Sequence, residues 1–443
     1  MNLLDDLMPD LRRLLCEQVA AEPGARRIAL PLARAGASGL LDWLAAQPVF
    51  PKFYWMHRDG SEEVAALGEV CRFDAAAQAS AFVAAQAAPF RIWGGAAFDA
   101  AELRGHEGLG GWFFLPRFEL RQDADGAELV INLLSARSLA EDAQLARAQL
   151  DQVVAATTVA MPDVQVVGAQ HQPDKAQWCR LVQESLAAIA AGQFDKVVLA
   201  RKTTLTLDGP LSPAQLLGAS RQLNHRCFHF MLAHDAGHGC VGSSPERLFS
   251  RHDLSLHTEA LAGTAPCTGD AAQDRKLAQW LLADAKNRNE NALVADDICA
   301  RLAGKVDDLT VCAAEVLSLR KVQHLRRRIA ARLRSGNDAE CLAWLHATAA
   351  VAGVPREAAR AFIRAREPFS RGWYAGSVGY ISRARAEFTV AIRYAEVQRN
   401  KVHLFAGAGL VPGSDPEAEW QEIGRKAAGL RTLLEPDLVV ECV

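Results

Sequence analysis

The sequence predicts a mainly antiparallel α+β protein, and three observations predict it. Short runs rich in aromatic and β-branched residues follow one another closely between residues 227 and 259, as strands joined by tight turns do. Pairs of helical segments interrupt those runs instead of alternating singly with them, which argues against a βαβ repeat. No Pro/Ser/Gly tract, long charge block or solenoid-length repeat divides the 443 residues. Length alone, at about 150 residues per domain, suggests three domains; the missing linkers argue against that division.

Taken in order, Leu3–Ala20 reads as a helix, with leucines at 3, 4, 7, 11, 14 and 15 forming one apolar stripe. Strands are expected at Arg27–Leu32, Phe53–His57, Phe90–Trp93, Trp112–Leu120 and Leu129–Leu134, followed by a helix over Leu139–Ala155. Trp43, Trp55, Trp93 and Trp112 are expected in the core, because large aromatics dominate burial. Lys175–Ala191 is an amphipathic helix stopped by Gly192. Lys196–Leu207 is a strand and Ser212–Asn224 a helix. Strands then follow at Cys227–His234, His238–Gly242, Glu246–Arg251 and Leu254–Glu259. Ala271–Arg334 reads as mainly helical, and Tyr374–Ser382, Ala386–Tyr394 and Lys401–Ala406 as three strands. The last helix is expected over Ser414–Leu434, opened by a Ser414/Glu417 capping box with Pro416 in the first turn.

Composition excludes several classes of protein. Forty-nine basic and 52 acidic residues give a formal net charge of −3, which offers no footprint for nucleic acid or an anionic membrane. The ten cysteines include no CxxC pair, so a thiolate zinc site or redox dithiol is not expected. MNLLDDLMPDLRR carries acids where a signal peptide carries a basic region. No run approaches the roughly 20 apolar residues of a membrane span. A cytoplasmic protein with reduced thiols is expected, as a monomer with a homodimer the alternative.

The candidate chemistry is concentrated after residue 190. His225 and His229 have the spacing of a helical metal pair. CFHFMLAH has strand composition, however, and on a strand residues four apart lie about 13 Å apart, so histidines on a half-buried sheet are expected instead. Lys196 opens an apolar strand; it is either a strand-end lysine in water or, turned into a pocket, a general base. Glu246, in GSSPERLF, follows a Ser-Ser-Pro turn and opens a strand, where an acid is usually a solvated turn residue. Glu290 lies in one helical segment, and Glu419 and Glu422 share a face of another. Such carboxylates either face solvent or hold a hard cation such as Mg²⁺. FAGAGLVPGS (405–414) reads as a glycine-rich loop in which Gly407 and Gly409 permit close backbone approach, or as a plain connection.

Together these segments resemble one family, the chorismate-utilising enzymes. The likeness rests on FDKVVLAR (194–201), GSSPERLF (242–249), TEALAGTAP (258–266), KNRNENALVADDI (286–298), SLRKVQHL (318–325), FSRGWYAGSVGY (369–380), FTVAIR (388–393), AGAGLVPGSDP (406–416) and EWQEIGRKAAGL (419–430). Within the family the nearest likeness is to the isochorismate synthases of menaquinone biosynthesis. The resemblance implies a single large α+β domain of two packed, mainly antiparallel sheets surrounded by helices. Residues 1–155 would be the variable N-terminal part of that fold and 156–443 the chorismate-binding catalytic region.

The resemblance also implies roles. Lys196 matches the base that activates water for attack at C2 of chorismate, and Glu246 the acid that protonates the departing C4 hydroxyl. Glu290 and Glu422 match Mg²⁺ ligands, with Glu419 beside them. Tyr374, Arg393, Lys426, Gly407 and Gly409 match substrate-binding positions, and Gly263, Thr264 and His346 match positions lining the pocket. The lysine favours water over ammonia as nucleophile. The implied activity is a reversible, Mg²⁺-dependent isochorismate synthase. The alternatives are a salicylate synthase, which goes on to release pyruvate, or a non-catalytic chorismate-binding subunit. One segment departs from the family's HPTPAVGG: here HATAAVAG (346–353) replaces two prolines and a glycine with alanine, which predicts a softer or displaced loop.

Overall fold

Alternation along the strands sets the architecture. In the strand Lys52–Met56, Phe53 and Trp55 join one hydrophobic core while Tyr54, between them, joins another. Phe230 and Leu232 alternate with Met231 and Ala233 in the same way, as a period of two requires of a sheet covered on both faces. The computed structural model describes residues 7–17, 19, 21–32, 39–99 and 111–437. Every strand ladder among them is antiparallel.

Two layers result, within a single domain of 11 described helices and one connected strand network. One layer runs Gly24–Leu32, Ala127–Ser135, Gly111–Asp123, Glu62–Phe73, Lys52–Met56, Phe228–Ala233, His238–Ser244, Tyr394–Gln398, Lys401–Leu410, Lys196–Leu207, Val166–Gln172. The other runs Arg91–Ala96, Ser377–Ser382, Arg385–Val390, Arg247–His252, Ser255–Pro266, Val322–Leu333. The long strand Gly111–Asp123 joins them, pairing with Arg91–Ala96 through its first residues and with Ala127–Ser135 through its last. Phe53, Trp55, Trp93, Phe113, Phe249 and Phe388 meet in the core between the layers. The outer face of the first layer packs on the helices Gly39–Ala46, Leu139–Leu150 and Pro213–Leu223 through Trp43, Ala146, Leu216 and their neighbours.

The N-terminal strands are therefore part of the same sheets: Lys52–Met56 pairs with Phe228–Ala233, and Arg91–Ala96 with Ser377–Ser382. The four tryptophans expected in the core are buried. The expected first helix is observed over Met8–Glu17; its remaining residues 3–6, 18 and 20 lie outside the described residues.

Several expectations are corrected. The helical reading of 271–334 holds for Ala271–Ala283 and Ala285–Leu302, but Val306–Val311, Glu315–Ser318 and Val322–Leu333 are strands. The run VQHLRRRIAARL has good helix formers, yet two of its arginines are taken up by neighbouring elements: Arg326 by Glu315 on the paired strand and Arg327 by Asn291 on the helix Ala285–Leu302. Tertiary pairing overrides local propensity there. The last helix is Pro416–Arg431, capped by Asp415, which accepts from the N–H groups of Glu417 and Ala418. Ser414 instead accepts from Val411 N, so the Ser414/Glu417 capping box does not form. The strand Glu62–Phe73 and the helices Gly39–Ala46 and Ala76–Ala85 were not anticipated; EEVAALGEVCRF and AAQASAFVAA lack clear period-two or caps signals.

Candidate active site

Lys196 begins the strand Lys196–Leu207, between Lys401–Leu410 and Gly353–Val354. Its side chain is fully buried, and its Nζ lies 3.1 Å from Glu290 Oε1, on the helix Ala285–Leu302. The two glycines expected in a loop are strand residues, Gly407 beside Ala200 and Gly409 beside Val198. The expected backbone cradle is thus replaced by a ladder, and what matters is the missing side chain. A Cβ on Gly409 would stand 2.3 Å from Glu290 Oε1 and 2.8 Å from Lys196 Cε. One on Gly407 would stand 2.9 Å from the Tyr374 hydroxyl.

Glu246 follows the strand His238–Ser244 and is 2% exposed. Its carbonyl accepts from Thr389 Oγ1 at 2.6 Å, which locks the backbone. Burial first, and then the charge of Glu259, push the Glu246 carboxyl up to about 8 against the pull of Lys196, Lys426 and Arg393. Arg58 grips Glu259 at 2.5 and 3.0 Å and Arg247 N donates to it at 2.8 Å.

The cavity between the layers is lined by Glu246, Gly263, Thr264, Glu290, Tyr374, Arg393, Gly407, Gly409 and Lys426, nine of the residues singled out from the sequence. Lys196 stands directly behind Glu290. Arg393 has a left-handed φ of 51°, a strained choice for a side-chain-bearing residue, at the break between Arg385–Val390 and Tyr394–Gln398. Its guanidinium donates to the Lys426 carbonyl at 3.0 Å and to His324 Nε2 at 2.8 Å. Tyr374 stacks on Phe405 with centroids 5.3 Å apart, and burial pushes its hydroxyl up to about 12.

His346 is not on this wall. It is half-buried elsewhere, with Nε2 3.0 Å from the Ala97 carbonyl, and desolvation together with Arg356 and Arg360 pulls it down to about 4. The pocket-lining expectation for His346 is therefore corrected: the imidazole ties the 346–353 segment to the strand end at residue 97. That segment is also firmly docked. Val198 N donates to Ala352 O at 2.9 Å, Arg371 donates to Val351 O at 2.8 Å, and Ala350 and Val351 reach the cavity.

His324 is a wall residue that the sequence reading quoted within SLRKVQHL but did not single out. It accepts from Arg393 at Nε2, so Nδ1 carries the proton and donates to the Gly263 carbonyl at 3.2 Å. Burial and the charges of Arg393 and Lys426 hold it well below the usual histidine range. Asn287, likewise unassigned, accepts from Thr264 N at 3.0 Å and fixes the turn at Gly263 (φ 82°). The signal for both was their position inside the shared motifs, since nothing in their spacing marks them.

The three acids expected around a cation are each held by a lysine: Glu290 by Lys196 at 3.1 Å, Glu419 by Lys286 at 2.8 Å and Glu422 by Lys426 at 2.6 Å. Burial, then the charge of Glu422, push Glu419 up to about 7. Burial opposes ionisation of Glu422 too, but Lys426 outweighs it and keeps that carboxyl below the usual range. The Lys286 ammonium is raised, against burial, by Glu419, Glu422 and Glu290 in turn. Among the described residues no three His, Cys, Asp or Glu side chains converge as a ready-made metal site. Of the sequence's histidines, His229 lies in a strand and bonds Ser243 Oγ at 2.9 Å.

Two antiparallel layers enclosing a cavity lined by a buried acid, Glu246, and by the cations Arg393 and Lys426 mark an enzyme that binds a small anion. The chain belongs to the chorismate binding enzyme family, whose model matches residues 17–435. It is 45% identical to isochorismate synthase MenF of Escherichia coli (strain K12) over 437 residues, which is 98% of this chain and 100% of that protein. It is 40% identical to isochorismate synthase MenF of Pasteurella multocida (strain Pm70), over 89% of this chain and 90% of that one. The solved structure of the menaquinone-specific isochorismate synthase of Escherichia coli superposes with a TM-score of 0.92, covering 98% of this chain and 100% of that chain. Anthranilate synthase component I of Streptococcus pneumoniae, at 21% identity and a TM-score of 0.66, shares the fold.

Proposed function

We propose that this chain is an isochorismate synthase, an isomerase that converts chorismate reversibly to isochorismate. The observation that carries the reading is one cavity lined by a buried acid, Glu246, pushed up to about 8, and by Glu290, whose carboxylate lies 3.1 Å from the fully buried Lys196 ammonium. Full-length likeness to curated isochorismate synthases supports it. By the same likeness, its product serves menaquinone synthesis.

Water is a poor nucleophile and hydroxide a poor leaving group, so both ends of the exchange need proton transfer. Lys196 takes a proton from water as the oxygen bonds to C2, and Glu290 offsets the ammonium that forms. Glu246, protonated at neutral pH, gives its proton to the C4 oxygen as that bond breaks. The reverse reaction uses the same two groups in exchanged roles. Arg393, aimed by His324 and the Lys426 carbonyl, and the Tyr374 hydroxyl receive substrate carboxylate.

The donor set fits Mg²⁺. Glu290, Glu419 and Glu422 are oxygen donors in one electrostatic neighbourhood, and the charge of Glu422 helps to raise Glu419. Those three residues would hold the ion, which supplies positive charge to the ring carboxylate when bound.

The test is chromatography of products from purified protein with chorismate and Mg²⁺. Isochorismate without pyruvate is expected. Salicylate with stoichiometric pyruvate makes the chain a salicylate synthase, and saturable binding without turnover makes it a binding subunit.

A further inference from the structure

A second chamber lies on the far side of Arg393, between the segment 319–322 and the helix Pro416–Arg431. Arg320, Lys321, Arg393 and Arg425 line it, and His225, exposed, stands on its wall at the surface. No aspartate or glutamate is among the described residues that line it. Two of its polar atoms, Arg320 Nη1 and Arg425 Nε, are buried with no hydrogen-bond partner among the described residues. Buried guanidinium N–H groups are normally satisfied, so orphaned ones on arginines that line a chamber call for an acceptor. Among the described residues, Arg393 alone lines both this chamber and the catalytic cavity.

We propose that this chamber is an anion-binding antechamber that takes a carboxylate of the substrate before Arg393 hands it to the catalytic cavity. The proposal rests on the isochorismate synthase reading, which supplies a dianion as the ligand. Its physical basis is focusing. The chain as a whole has a net charge of −3 and repels a dianion weakly, so a walled group of four cations is where one accumulates. Arg320 and Lys321 carry the test, because Arg425 also acts on Glu422 and Arg393 lies in the catalytic wall.

The experiment compares the wild type with the double variant Arg320→Gln/Lys321→Gln at about 20 mM and about 0.5 M salt, where the Debye length falls below about 5 Å. At low salt KM for chorismate should rise about five- to tenfold with kcat held within twofold, and at high salt the gap should close. The charge-conserving variant Arg320→Lys/Lys321→Arg should restore the low-salt KM. A KM unchanged at low salt, a loss carried by kcat, or a loss that ignores salt overturns the antechamber. Wild-type product analysis tests the underlying reading separately. Should the wild type form no isochorismate, calorimetric titration with chorismate decides. Weaker, salt-dependent binding by the double variant supports the chamber, whereas equal binding, or none by either protein, overturns it.

Discussion

The two ends of the catalytic cavity handle buried charge in opposite ways. At one end Lys196 is enclosed with an acid 3.1 Å away, so charge is neutralised by pairing. At the other, Glu246 has no ion-pair partner among the described residues and instead has the carboxylate of Glu259 in its field, so charge is suppressed by protonation. The difference shows how one apolar interior can keep a proton acceptor and a proton donor side by side at the same pH. It also explains why the residues behind each end matter. Gly409 makes room for the pair, and Arg58 holds in place the Glu259 carboxylate whose charge bears on Glu246.

The sharpest way to break the comparison is to remove the lysine. Lys196→Ala should lower isochorismate formation on the order of 10³-fold with the far-ultraviolet circular dichroism retained, since general-base catalysis contributes about 10²–10⁴. Near-wild-type turnover would remove Lys196 as the base. Chelation should act at the same end: excess EDTA should bring turnover to background and Mg²⁺ should restore it, and persistent activity contradicts the cation assignment of Glu290, Glu419 and Glu422.

Gly409→Ala should cost about 10²-fold in kcat, because a Cβ 2.3 Å from Glu290 Oε1 must displace the pair and small misplacements carry that penalty. Wild-type kinetics in that variant would show that the strand needs no glycine there. At the cavity wall, His324→Leu frees Arg393. Loss of a hydrogen bond to a charged group, about 1.5–3 kcal/mol, predicts a rise in KM of about tenfold or more with a smaller change in kcat.

The acid end has a stability signature. The folded-state value of Glu246, about 8, lies above its ordinary 4.5. Its protonation therefore contributes stability fully present below about pH 4.5, which is lost as the pH rises through about 8. Chemical denaturation should show Glu246→Gln gaining on the wild type between those limits by on the order of a few kcal/mol. Parallel pH profiles for the two proteins would place an ordinary acid at 246.

Much of the site was legible because its residues sit in long, specific motifs. Glu246 in GSSPERLF is buried on the cavity wall, and Lys196 in FDKVVLAR is buried 3.1 Å from the wall residue Glu290. The local chemistry of the glycines was not legible. AGAG reads as a loop by composition, yet the pairing of Gly407 and Gly409 with Ala200 and Val198 is long-range and leaves no trace in the segment itself. The same limit explains the arginine-rich strand Val322–Leu333, whose register with Ser255–Pro266 no local propensity encodes. His346 was misplaced for a related reason: its partner, the Ala97 carbonyl, is 249 residues away.

The central claim is that Glu246 holds its proton at neutral pH while the lysine end stays paired. It is tested most directly by carbon-13 NMR of side-chain-labelled glutamate, comparing the wild type with Glu246→Gln to assign the resonance. The account predicts that the Glu246 carboxyl titrates with a midpoint near 8. A midpoint in the ordinary glutamate range, near 4.5, would contradict it.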